Sequence, residues 1–304
     1  MRNKFLLILI SLIGLISPIG LIGQISPQGP IVNQLSNRKL SNSQFTLVWH
    51  DEFDGYGRPD PDKWSYEQGY VRNYEAQYYT PQNVFRYDGK LVIEARQADF
   101  PCPDYDPEST NWRSGREWVN WTSGSVITKG HYSFLYGRVE VCARIPVSAG
   151  AWPAIWLLGS SLPWPGNGEI DMLEYYQLDG KPTILANACW AGSSEDDTRW
   201  DDSYWPLEHF TKGDPEAWAQ RFHVWRMDWD KEFIRLYLDD ELLNEIPLSK
   251  TVNGKGGSPG INPFHRPFYL LINLALDTRV KTHDPALFPL RYEIDYVRIY
   301  HRKP

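Results

Sequence analysis

Three cysteines, three methionines and 23% charged residues are all that these 304 positions contain of those types, and each scarcity excludes something. Cys102, Cys142 and Cys189 permit at most one disulfide and one odd thiol, and their spacings fit no metal motif. They read as buried free thiols. The formal net charge is −7 with no block of like sign, which argues against a nucleic-acid or anionic-membrane surface. The apolar segment Phe5 to Ile16 is too short for a membrane span. Helical patterns are few, and neither an internal repeat nor a low-complexity segment is present. Aromatics are plentiful instead, with 14 Trp, 18 Tyr and 12 Phe. Some must fill a core; the others suit a cleft for sugars, whose apolar ring faces pack on flat aromatic rings.

Arg2 and Lys4 ahead of Phe5–Ile16, then Ser17-Pro18 and Gly23, have the layout of a secretory signal peptide over residues 1–23. Cleavage would deliver a secreted or periplasmic protein. Residues 24–44 are polar and aperiodic and read as a flexible lead-in. From Phe45 to the C-terminus, short apolar or alternating runs recur between turn residues. Examples are Phe45–Trp49, Gly137–Ile145, Ala154–Leu158, Glu169–Tyr175, Ile184–Trp190, Phe222–Trp229, Phe268–Ala275 and Tyr292–Tyr300. That spacing predicts one all-β domain, a sandwich or barrel, over residues 45–304. Asp214-Pro215-Glu216 predicts a helix of a turn or two. Asp99–Asn120 and Gly192–His209 read as long loops bordering a site.

The most informative stretch is Trp164-Pro165-Gly166-Asn167-Gly168-Glu169-Ile170-Asp171-Met172-Leu173-Glu174-Tyr175. In a flat strand Glu169 and Asp171 share one face and Glu174 falls on the other. A β-bulge at Met172-Leu173 reverses the parity and aligns all three acids. The two glutamates are then roughly 13 Å apart at Cα, and long side chains leaning inward can approach the ~5–5.5 Å of a retaining glycosidase pair. Asp171 between them adds like-charge repulsion, which keeps one glutamate protonated while the other ionises. A calcium site or a solvated strand face is the competing reading of the three acids alone. Glu293-Ile294-Asp295 repeats the tripeptide, but Arg298 stands where the third acid would be.

This stretch resembles the active-site signature of glycoside hydrolase family 16 in its bulged form. So do, in the family's order, Leu47-Val48-Trp49-His50-Asp51-Glu52-Phe53-Asp54, Arg72-Asn73-Tyr74-Glu75-Ala76-Gln77-Tyr78-Tyr79, Tyr136-Gly137-Arg138-Val139-Glu140, Gly150-Ala151-Trp152-Pro153-Ala154-Ile155-Trp156, Phe222-His223-Val224-Trp225 and Asp295-Tyr296-Val297-Arg298-Ile299-Tyr300. The resemblance implies a jelly-roll, concanavalin A-like sandwich with an open cleft on its concave sheet. It implies a retaining endo-hydrolase of a β-linked polysaccharide, with Glu169 as nucleophile, Glu174 as acid/base and Asp171 as helper.

The same resemblance places Asn73 and Glu75 beside the nucleophile subsite, and Trp152 and Trp156 on the cleft surface, with core packing an equal account of Trp156. Arg138 is expected to orient Glu169 or to form an ordinary ion pair. Trp190 is expected as a stacking platform or as a core residue. Glu52 and Asp295 are expected at a structural calcium site or in plain salt bridges. The chemistry itself requires no cofactor, and a monomer acting on polysaccharide is expected. Cys189-Trp190, where many β-1,3-glucan-cleaving members carry a histidine, and Asp277-Thr278-Arg279, in place of a glycine-rich stretch, leave the polymer open. β-1,3- or mixed-linked glucan leads, a galactan is the alternative, and a lectin-like binding module or a structural secreted scaffold are the readings from other classes.

Overall fold

The computed structural model describes residues 44–194, 197–279 and 283–303; the expected signal peptide and most of the lead-in lie outside them. Two antiparallel sheets are stacked face to face, as expected for chains whose short strands alternate apolar and polar positions. One has ten strands. Its central order is Glu241–Pro247, Phe233–Leu238, His223–Trp229, Gly137–Arg144, Leu290–Arg302, Lys90–Pro101, Trp118–Ser123 and Tyr78–Tyr79, the last pairing in parallel. Phe45–Asp51 pairs with Leu290–Arg302, bringing the first and last described strands together. The other sheet runs Thr198–Asp201, Lys181–Ala191, Glu169–Leu178, Ala151–Gly159, Phe268–Leu276, Ser125–Ile127 and Ser65–Tyr66, with Tyr204–Pro206 also on Lys181–Ala191. This is a jelly-roll sandwich. No described helix is long and apolar enough to cross a membrane.

Period-two patterning explains the layering. His223–Trp229 and Phe233–Leu238 alternate strictly between buried and half-buried residues because one face meets the partner sheet and the other meets solvent. Phe268–Leu276 is buried at every position. Its Leu270, Ile272 and Leu274 join the inter-sheet core, whereas Tyr269 and Leu271 join a smaller cluster with Ala154 and Trp156 on the opposite face. That second cluster floors the cleft. Core packing outweighs isolated polar defects: the Trp225 indole N–H is buried without a partner, costing about 1–3 kcal/mol, against about 4 kcal/mol from burying so large a ring.

The helix foreseen at Asp214 spans Pro215–Ala219, with the Asp214 carboxylate accepting from Ala217 N–H at 2.9 Å. Both expected long loops are shorter than the sequence suggests. Lys90–Pro101 and Trp118–Ser123 pair across the first, and the short strands Thr198–Asp201 and Tyr204–Pro206 interrupt the second. These edge strands are rich in Trp, Asp and Arg rather than aliphatics, so they carry little apolar alternation. The three cysteines are buried and free.

Two expectations lie away from the cleft. Arg138 projects outward from the ten-stranded sheet because Val139 and Val141 take the core side; it is 3% exposed, forms two bonds to Asp228 (2.6 and 2.9 Å) and lies over Phe45 at 4.4 Å. It does not orient Glu169. Both oxygens of Glu52 accept from Arg298, at 2.9 and 2.7 Å, and Asp295 stands beside the Cys142 thiol. Glu52 thus forms the plain salt bridge that is one of its two readings, and among the described residues no group of three or more His, Cys, Asp or Glu converges on a cation.

Candidate active site

The bulge is at Met172-Leu173. Against Ala151–Gly159, Asp171 faces Trp156 and Leu173 faces the next residue, Ile155; against Lys181–Ala191 the register slips between Asp171 and Glu174. One extra residue is thus accommodated. Ile170, Met172, Leu173 and Tyr175 all enter the core, two of them consecutively, and Glu169, Asp171, Glu174 and Tyr176 all line the cleft. The Tyr175 hydroxyl donates to Val147 O at 2.7 Å, pinning the strand just past the bulge.

The turn before Glu169 is equally constrained. Gly168 has φ of +77°, and a side chain there would strike Phe268 and Pro263. Asn253 donates to Gly166 O (2.7 Å) and Asn167 to Gly159 O (3.1 Å), so the turn is tied to its surroundings on both sides. It presents Trp164, 53% exposed, whose indole N–H donates to Glu169 Oε2 at 2.7 Å. From the neighbouring strand, Trp152 donates to Glu174 Oε1 at 2.9 Å. Each glutamate is oriented by a different indole.

The cleft has a volume of about 620 Å³, in the range of small-ligand sites. One wall is the Arg72–Tyr79 segment. The buried Glu75 accepts from Asn73 (3.2 Å) and Gln77 (2.7 Å), and Asn273 joins the Trp156 indole (2.7 Å) to the Tyr79 hydroxyl (3.0 Å). Arg72 pairs with Glu67 and lies over the Trp156 ring at 4.8 Å; its Nη1 is buried without a partner. Two lining residues, Tyr176 and Trp152, carry Arg279 over their rings (4.2 and 5.2 Å), and its Nε is tied to both oxygens of the buried Asp277 (2.9 and 3.0 Å).

Electrostatics separates the acids. Burial, then the charge of Glu169, pushes Glu174 up to about 7, with the Trp152 bond and Arg279 opposing. Glu169 is also raised by burial, but the Trp164 bond, the Arg72 charge and a bond from Asp171 all favour its ionised form. Asp171 lies well above its ordinary range, first from burial and then from both glutamates. Its Oδ2 meets no donor, so the neutral acid is favoured, and its proton serves Glu169. One carboxylate, one carboxylic acid and a bridging proton are the parts of nucleophilic displacement with general acid assistance.

Of the residues singled out from sequence, Glu169, Asp171, Glu174, Asn73, Glu75, Trp152 and Trp156 meet in this cleft. Trp190 does not. It is 9% exposed and packs edge-on to Phe264 in the inter-sheet core. Glu169 pairs with Cys189, which places the cysteine on the face of the acids and Trp190 behind it. Trp164, Tyr176, Asn273 and Trp200, to which no role is assigned from sequence, also line the cleft, and Arg279 stacks on two of its lining residues. Trp164 opened the key stretch, and Arg279 closed the Asp-Thr-Arg departure, so both carried a signal.

Residues 71–298 match the family model for Glycosyl hydrolases family 16. A "Beta-glucanase" of Rhodothermus marinus is 34% identical over 282 residues, covering 87% of this chain and 88% of the relative. Among solved structures, one from work on endo-acting O-glycanases with which human gut microbiota initiate mucin breakdown has a TM-score of 0.73 at 34% identity, over 86% of this chain and 92% of its own. A non-specific endo-β-1,3(4)-glucanase has a TM-score of 0.68 at 30% identity, over 86% and 92%.

Proposed function

The chain belongs to glycosyl hydrolases family 16 and is a glycoside hydrolase; from that premise we propose that it is a retaining endo-hydrolase of β-1,3- or mixed β-1,3/1,4-linked glucan. The observation that carries the mechanism is the bulged strand presenting Glu169 and Glu174 on one face, with Glu174 pushed up in part by the charge of Glu169. Glu169 attacks the anomeric carbon while Glu174 protonates the departing oxygen. Glu174, now ionised, then takes a proton from water, which attacks the same carbon and releases Glu169. Asp171 holds Glu169 in its ionised form, and Trp152 and Trp164 fix both carboxyls.

The β-glucan assignment is supported by the glucanase relatives. A panel of laminarin, lichenan, agarose, porphyran, carrageenan and a mucin O-glycan, with product sizes read by mass spectrometry, tests it. Laminarin or lichenan should be cut internally to short oligosaccharides. Exclusive cleavage of the galactans or of the O-glycan, an arm included because of the gut O-glycanase likeness, would overturn the glucan reading.

A pH signature follows from the Glu174 environment. The general acid must be protonated, so kcat/KM should fall as pH rises through about 7. Arg279 lowers the Glu174 pKa. Removing that positive charge in Arg279→Gln raises it, so the alkaline limb of the kcat/KM profile should move to higher pH. An alkaline limb that stays in place or moves down would sink this account of Arg279.

A further inference from the structure

Tyr74 sits between two residues that line the cleft, Asn73 and Glu75, yet its own ring is 63% exposed. The backbone there is held in an unfavourable form. Asn73 and Tyr74 have φ of +54° and +57°, a left-handed pair that residues bearing side chains rarely adopt. The conformation is clamped from the 102–117 segment. Arg116 donates to Tyr74 O and Glu75 O, both at 2.8 Å, with its guanidinium over Tyr70 (4.2 Å) and Trp112 (5.2 Å). Arg113 donates to Val71 O at 2.8 Å, lies over Trp112 at 5.0 Å and lines the cleft. Beneath them, Tyr70, Cys102 and Val119 form a small separate core against which Trp112 packs.

The product of this clamp is a platform in which the Tyr74 and Trp112 rings lie 4.7 Å apart at a 32° tilt. A ring left mostly in water contributes little to folding, so backbone strain that holds it there favours a contact not made within the chain. Position names the contact. Arg72, in the same segment, lies over the Trp156 ring, which faces Asp171 beside Glu169, whereas Arg279 stacks on Trp152 and Tyr176, and Trp152 is bonded to Glu174. The sugar retained on Glu169 is the glycone, and the leaving chain departs past Glu174.

We propose that Tyr74 and Trp112, with Arg113 at the cleft edge, form a distal glycone subsite that stacks a neutral β-linked pyranose beyond the residue attacked by Glu169. The proposal rests on the β-glucan reading of the site. The equatorial substituents of such a ring leave a C–H face that packs on an aromatic ring, and Arg113 supplies N–H donors for hydroxyls.

The test uses β-1,3-gluco-oligosaccharides of three to seven units. Tyr74→Ala should lower the ratio of kcat/KM for the heptasaccharide to that for the trisaccharide about tenfold, the effect of losing one aromatic stacking contact. Tyr74→Phe, which keeps the ring, should retain the wild-type ratio. A wild-type ratio in Tyr74→Ala, with the wild type active, overturns the subsite alone, as does an equal loss in Tyr74→Phe. A wild type that cleaves none of the series overturns the β-1,3-glucan reading and this subsite with it.

Discussion

Glu169→Gln is expected to reduce hydrolysis at least about a thousandfold, because an amide cannot form the glycosyl ester on which the two-step route depends. The substitution is close to isosteric. Its carbonyl oxygen still accepts from the Trp164 indole, so the turn ahead of it should stay in place. Polysaccharide binding, read by the retardation of the protein in gels containing laminarin, should persist. It is this combination that identifies a nucleophile: a folding defect would remove binding along with turnover. Reducing-sugar release equal to that of the wild type would exclude the mechanism, and would leave a carbohydrate-binding sandwich as the better description.

Glu174→Ala should lower the rate on polysaccharide by about 10²–10⁴-fold, and for a reason that can be separated from the first. Both steps use this carboxyl, once as acid and once as base. An aryl β-glycoside with a good leaving group needs little protonation, so its first step should survive and the glycosyl enzyme should accumulate. Azide needs no general base. Added azide should therefore attack the anomeric carbon of the intermediate, expel the Glu169 carboxylate and yield a β-glycosyl azide, identified by mass and by NMR. Failure of azide to accelerate turnover of the aryl substrate, with the fold intact by circular dichroism, would remove Glu174 from the acid/base role.

How much of this was readable from sequence follows from which features are local. The alignment of Glu169, Asp171 and Glu174 could be worked out from parity, since a bulge is the simplest way to put three such acids on one face, and the slipped register lies where parity required it. Trp190 could not be placed, because the face it occupies depends on Cys189 standing opposite Glu169, a cross-strand register that no local pattern reveals. Arg138 stays open between orienting Glu169 and an ordinary ion pair for a related reason: the resemblance locates its strand in order along the chain, but which sheet holds that strand is a long-range property, and only that placement selects the pair with Asp228. The edge strands Thr198–Asp201 and Tyr204–Pro206 escaped notice because their exposure replaces aliphatic alternation with Trp, Asp and Arg. Arg279 was visible only as a departure; its stacking on Trp152 and Tyr176 is a tertiary fact.

The three acids occupy a single strand bonded to neighbours on both sides, while Tyr74, Arg113 and Arg279 come from segments outside those three strands. That arrangement divides the molecule into a fixed engine and an exchangeable rim. Insertions or substitutions in the rim leave the spacing of the reacting groups untouched, because that spacing is set by the hydrogen-bond ladder. Drift toward a new polymer can therefore proceed through active intermediates, and a laboratory library confined to residues 70–75, 102–117 and 277–279 would sample polymer preference while keeping the reacting groups in register.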